Sequence, residues 1–232
     1  MAGKAFILVA AFLSLAVACT SPNQVVCSEG DENCTAQEAR RAFYESRFED
    51  AEALVNTLDW RRSSHPDVLE TATYLIVFQR KLGNELAVAE ELALQRVEVL
   101  PEDPESYVIL GNVLMAMLRE EDAVDALDQA RRKREASGLE RESPFDVVFA
   151  PAFHTTGRYT DVLMMFGRAE RELGDDAWLQ DDVVLSALSS AAQLGRWQEV
   201  ARLVDNVRAR RPDLAASEEF REFQRWVDSV EK

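Results

Sequence analysis

Five short turn signatures recur through this chain at nearly equal steps, and such a recurrence leaves few folds open. They read Ser46-Arg-Phe48-Glu-Asp-Ala51, Gly83-Asn-Glu-Leu86-Ala-Val-Ala89, Leu118-Arg-Glu-Glu-Asp-Ala123, Gly157-Arg-Tyr159-Thr-Asp-Val162 and Gly195-Arg-Trp197-Gln-Glu-Val200. Their closing residues lie 38, 34, 39 and 38 positions apart. Between them apolar residues return at i, i+3, i+4 and i+7, in a background of Ala, Leu, Glu and Arg. Gly and Pro fall almost only between these stretches, and no strand-type alternation persists. From about Thr35 onward the chain therefore reads as all-α, and as five helix-turn-helix units.

The third unit carries the fullest pattern. It runs from Pro104 through Tyr107, Leu110, Gly111 and Leu114 to Ala123, Leu127 and Ala130. This resembles the tetratricopeptide (TPR) motif W-x2-L-G-x2-Y…A-x3-F…P, with Leu114 in the Tyr place. Gly111 and Ala123 are small enough for two antiparallel helices to approach closely. Tyr107, Leu110 and Leu114 would fill the space between that pair and its neighbours. The resemblance covers roughly residues 35–214. It implies a right-handed α-solenoid of about five TPR-like repeats, whose first helices line a concave groove.

Beyond Pro212, Ser217 opens a further helix with Phe220, Phe223, Trp226, Val227 and Val230 on one face. A solenoid must cover its last apolar face, so residues 215–232 read as a capping helix. An aromatic docking face is the alternative. One irregularity stands out. Ser143-Pro144 is a good helix start, yet Pro151 follows inside the same stretch. An interior Pro costs about 3 kcal/mol in an ordinary helix. The helix must kink or begin late, and either would distort the groove near His154.

The N-terminus is different in kind. Lys4 precedes 14 apolar or small residues, Ala5–Ala18, interrupted only by Ser14 and followed by Cys19. A membrane-spanning helix needs about 20 apolar residues, whereas a secretory signal needs fewer. The end of this run resembles a bacterial lipoprotein lipobox, with Ala16 where Leu is usual. That implies cleavage of residues 1–18 and acyl chains on Cys19. A plain secreted protein and an uncleaved anchor are the alternatives. Thr20 rather than Asp follows the Cys, which by resemblance to the enterobacterial sorting rule points to the outer membrane.

Residues 19–34 read as a tether. They include Cys27 and Cys34, which enclose six residues with Gly30 among them. Outside the cytoplasm such a pair is most simply a disulfide, worth roughly 2.5 kcal/mol on chain-entropy arithmetic. Free thiols remain open. A metal site is the weakest reading, because zinc wants four ligands and the only histidines are His65 and His154.

Charge and motifs exclude several classes. The formal charge is −16, and removal of residues 1–18 leaves 25 basic against 42 acidic residues, a net −17. Nucleic acid requires a basic stripe, and anionic lipid would repel this surface. Membrane attachment would then rest on the acyl chains. No Gly-rich phosphate loop or His-Glu-x-x-His occurs, and neither histidine has a local nucleophile at a known spacing. The expectation is a non-enzymatic scaffold or assembly factor without cofactor, facing the periplasm. It would capture a partner protein's peptide or helix in the groove. Asn112, beside Gly111, is suited to a ligand backbone. Arg40 and Tyr44 occupy groove places in the first unit, and His154 in the fourth. A solute-binding accessory of an envelope transporter is the alternative function. A cytoplasmic co-chaperone adaptor is disfavoured by the signal.

Overall fold

The computed structural model describes Cys27, residues 31–79 and residues 85–230. The signal, Cys19 and the turn at Gly83-Asn84 lie outside the described residues. The chain divides into two compact units, Met1–Arg141 and Glu142–Lys232. In both, all regular structure among the described residues is helical.

Unit 1 holds three helix pairs: α1 (Glu32–Tyr44) with α2 (Phe48–Thr57), α3 (Pro66–Val77) with α4 (Leu86–Val99), and α5 (Pro104–Ala116) with α6 (Glu120–Ala136). Each start has a local cause. Asp31 accepts from the Cys34 N–H, His65 from Asp67 and Asp103 from Glu105. Pro66 and Pro104 sit in first turns, where no N–H is needed. Cys27 and Cys34 are joined by a disulfide, which pins residue 27 to the first turn of α1. Small residues let the pairs close up. Ala36, Ala39, Ala42, Ala51, Ala72, Ala89 and Ala123 are fully buried, as is Leu127. Gly111 is buried on α5 as its spacing implied. Tyr107 and Leu110 are only half buried; Ile109 and Val113 fill that core instead.

The turns explain the register. Ser46, Leu118, Gly157 and Gly195 take φ of 60, 59, 78 and 66°. The Arg after each donates its N–H to the carbonyl five residues back, on Ala42, Leu114, Phe153 and Ala191, at 2.8–2.9 Å. This is the Schellman closure, which satisfies a carbonyl at the helix end. The same Arg then pairs with the acid three residues on: Arg47 with Asp50, Arg119 with Asp122, Arg158 with Asp161, Arg196 with Glu199. The recurring Arg-x-x-acid is thus the ionic clasp of four second helices, α2, α6, α8 and α10.

Unit 2 opens with a 3-10 segment, Pro144–Phe149, started by a Ser143–Asp146 capping box. Helix α7 (Ala150–Thr155) begins immediately after it, with Pro151 in its first turn. The helix therefore starts late rather than kinking, and the missing proline N–H falls where none is required. Helix α8 (Tyr159–Leu173), a 3-10 segment (Gly174–Trp178), α9 (Asp181–Gln193) and α10 (Trp197–Arg210) complete two pairs. Phe149, Phe153, Phe166 and Trp178 are essentially fully buried, the last two edge to face at 5.0 Å. A short turn of helix, α11 (Pro212–Ala215), leads to α12 (Glu218–Val230), where the Ser217 hydroxyl accepts from the Phe220 N–H. Phe220 and Phe223 are buried as α12 packs against α9 and α11, making it the capping helix.

Candidate functional site: the first-helix face of unit 1

Within unit 1 the first helices lie side by side, α1 against α3 and α3 against α5. Their shared face is organised by a buried carboxylate. Glu70 on α3 is fully buried and fully engaged. One oxygen accepts from Arg40 Nε at 2.8 Å and from the Tyr44 hydroxyl at 2.7 Å. The other accepts from Arg96 Nη2, on α4, at 3.0 Å. Arg96 is itself buried, and its Nη1 also reaches Asp103 at 2.8 Å and the Ser106 hydroxyl at 2.7 Å. Four of the six described helices in this unit, or their caps, therefore meet through one acid and one guanidinium.

Aromatic rings back the network. Tyr74 stacks on Phe43 at 5.6 Å and touches Phe78 at 5.2 Å. Its hydroxyl points to Glu105, at 3.4 Å. The Arg40 guanidinium lies over the Tyr44 ring, 5.1 Å from its centre. Burial, then the charge of Glu70, pushes the Tyr44 phenol above its ordinary range. Burial, then Glu105, does the same to Tyr74. Glu105 is raised by burial and by Glu70. Burial opposes the Arg40 charge, but Glu70 outweighs it and holds the guanidinium firmly protonated. The face thus combines carboxylates, phenols and the half-exposed Arg40 guanidinium, with polar atoms fixed in advance.

The site residues named from sequence divide between the units. Arg40 and Tyr44 meet on Glu70. Asn112 stands on α5 in the same run of first helices; it is half buried and its amide makes no hydrogen bond among the described residues. His154 belongs to unit 2. Its Nδ1 lies 3.0 Å from the hydroxyl of buried Ser190 on α9, and its ring lies 5.3 Å from Tyr159. Burial lowers its pKa, which favours the neutral ring. Glu70, Arg96, Tyr74 and Glu105 were not singled out from sequence. The available signal was one acid, Glu70, inside the otherwise uncharged stretch Val68–Val77. Among the described residues, no group of three or more His, Cys, Asp or Glu could hold a metal, and no helix is long and apolar enough to cross a membrane.

No family model matches the chain, and no curated protein does. Two solved structures are similar to it. YrrB, a TPR protein with an unusual peptide-binding site, superposes with a TM-score of 0.55 at 17% identity, over 81% of this chain and 92% of YrrB. A putative kinesin light chain with nearly identical TPR-like repeats, from Podosopora anserina, gives a TM-score of 0.49 at 18% identity, over 80% of this chain and 97% of that one. The likeness to YrrB is one of fold. With the helix pairs and turns above, it makes this an all-α, TPR-like repeat protein of roughly five helix-turn-helix units closed by a capping helix.

Proposed function

We propose that this protein is a non-enzymatic interaction scaffold, which captures a partner's peptide or helix on the first-helix face of unit 1. The observation that carries the reading is the Glu70 network. It fixes Arg40, Tyr44 and Arg96 before any ligand arrives, so binding need not freeze them and the ordering cost falls. On α5, in the same run of first helices, the Asn112 amide supplies both a donor and an acceptor for a ligand backbone. Repeat proteins bind through such extended surfaces. A net charge of −16 favours partners with basic segments, and their association weakens as salt rises.

The cell envelope is the proposed place of action, with acyl chains on Cys19 holding the protein at a membrane and the domain facing the periplasm. The lipobox-like end of the apolar run supports this, and the Cys27–Cys34 bridge suits an oxidising compartment. Thr20 favours the outer membrane. A solute-binding accessory would need a deep, mostly apolar cavity. The cleft of unit 1 between α4 and α6, over α5, mixes Leu94, Tyr107, Leu110 and Leu114 with Glu90, Arg119, Asp122 and Asp125, a lining more charged than a solute site of that kind.

Capture of a protein from detergent-solubilised envelope tests the proposal. Asn112→Ala should reduce capture with the circular dichroism spectrum unchanged. Undiminished capture by Asn112→Ala, with loss on truncation of Ser217–Val230, would move the site to the C-terminal helix. Mass spectrometry of the mature N-terminus tests the anchor; an unmodified Cys19, or a start elsewhere, ends that part of the reading.

A further inference from the structure

Unit 2 contains a second surface of a different kind. Helix α12 packs against α9, the first helix of the preceding pair, and so takes the place of another first helix. In the two complete pairs of this unit each first helix is covered by a second one, α7 by α8 and α9 by α10. Among the described residues none covers α12 in that way. A cleft of about 360 Å3 runs there between α10 and α12, lined by Trp197, Val204, Phe223 and Val227 with Asp205 and Arg208 on its rim. A terminal cap should turn a polar face outward. Here Trp226 and Val230, on the same helix, remain 37% and 51% exposed.

We propose that this cleft seats one amphipathic helix of a partner protein, which completes a further repeat as its second helix. The chain's own second helices define the chemistry of that occupant. The two in unit 2 each bury a β-branched residue in the first turn and apolar residues one and two turns on: Val162, Phe166 and Ala169 in α8, and Val200, Leu203 and Val207 in α10. Successive second helices also exchange a charge. Arg202 of α10 reaches Glu170 of α8 at 3.0 Å. Because α8 starts at Tyr159 and α10 at Trp197, Arg208 stands on α10 where Glu170 stands on α8. Arg208 is exposed, its ion pair being Asp205 one turn away at 3.5 Å. The occupant therefore carries an acid where α10 carries Arg202.

The test uses the full chain and a synthetic peptide of residues 196–211 with Arg202→Glu, held helical by a lactam staple on its outer face and followed by fluorescence anisotropy. Saturable binding is expected, with none for a scrambled peptide of the same composition and loss on Val227→Glu. Arg208→Glu should weaken the peptide by roughly three- to fivefold, the range of an exposed ion pair. It should also reverse the preference, so that the unmodified Arg202 peptide binds better. This charge exchange decides the matter even if Val227→Glu fails to fold. Absence of saturation, equal binding by the scrambled peptide, or no reversal with Arg208→Glu would overturn the proposal. Self-association of the protein that Arg208→Glu abolishes would give the seat to a second copy and overturn the partner assignment.

Discussion

The two units solve one problem in different ways. Each must hold neighbouring first helices in register. Unit 1 does so with charge, through Glu70, Arg96, Arg40 and Tyr44. Unit 2 does so with rings, through Phe149, Phe153, Phe166 and Trp178, and with the uncharged His154–Ser190 contact. A charged lock is directional and leaves polar edges on its face, which suits a ligand surface. An aromatic core is tolerant of small shifts and leaves little for a peptide backbone to bond. The turns differ as well. Unit 2 places Gly157 and Gly195 at positive φ, whereas unit 1 uses Ser46 and Leu118 there. Unit 1 therefore carries backbone strain that unit 2 avoids.

The largest expected effect breaks the lock of unit 1. Glu70→Gln leaves the buried Arg96 with Asp103 alone as counter-charge and should cost about 3 kcal/mol, read from urea unfolding. Replacing both partners, Glu70→Leu with Arg96→Met, should recover part of that loss, because the charges it frees, on Arg40 and Asp103, both reach solvent. Phe153→Ala should cost unit 2 a similar amount, about 3–5 kcal/mol, by opening a cavity. Equal losses for the single and double changes at Glu70 would mean that the ion pair is not what holds unit 1.

Smaller effects sharpen the contrast. Ala123→Leu should overpack the α5–α6 contact at a cost of about 1–3 kcal/mol, while Glu121→Leu, on the exposed side of α6, should stay within about 0.5 kcal/mol. A Cβ added at Gly195 meets nothing within 4 Å, so Gly195→Ala should cost only the left-handed backbone strain, about 1–2 kcal/mol. Leu118→Gly should act in the opposite direction and stabilise unit 1, by less than about 1 kcal/mol once the entropy of glycine in the unfolded chain is counted.

Acid should move the two units oppositely. Burial and Glu70 hold the Glu105 pKa above its ordinary value. Its contribution is then full below the unfolded value, about 4.3, and is lost as pH rises through the folded one. Glu105→Gln should therefore match or exceed the wild-type Tm at pH 7. Burial holds the His154 pKa below its ordinary value. Its contribution is present above the unfolded value, about 6.5, and is lost as pH falls through the folded one. His154→Gln should narrow the fall in Tm between pH 7 and pH 5. A narrower fall for Glu105→Gln than for His154→Gln would contradict the contrast.

Much of the fold was legible because its rules are local. An Arg three residues before an acid, just after the residue that closes the first helix, marks a second helix without reference to anything distant. Ser143 and Pro144 marked a helix start in the same way, although the Pro151 question required the neighbouring 3-10 turn to answer it. The polar lock was not legible, because its parts are scattered. Arg40 and Arg96 lie 30 and 26 residues from Glu70, and no periodicity links them. Arg40 and Tyr44 were singled out as groove residues, but their bond to Glu70 appears only when α1 and α3 are side by side. Tyr107 and Leu110 matched the motif yet are only half buried, since the motif fixes which side of a helix a residue occupies and not how closely the next helix approaches.

The central claim, that the first-helix face of unit 1 is the binding surface, is tested most directly by photo-crosslinking in the native envelope. A photo-reactive phenylalanine analogue at position 112 should give a specific adduct with a partner protein, while the same analogue at position 121 gives none. Adducts at position 121 but not at 112 would contradict the account.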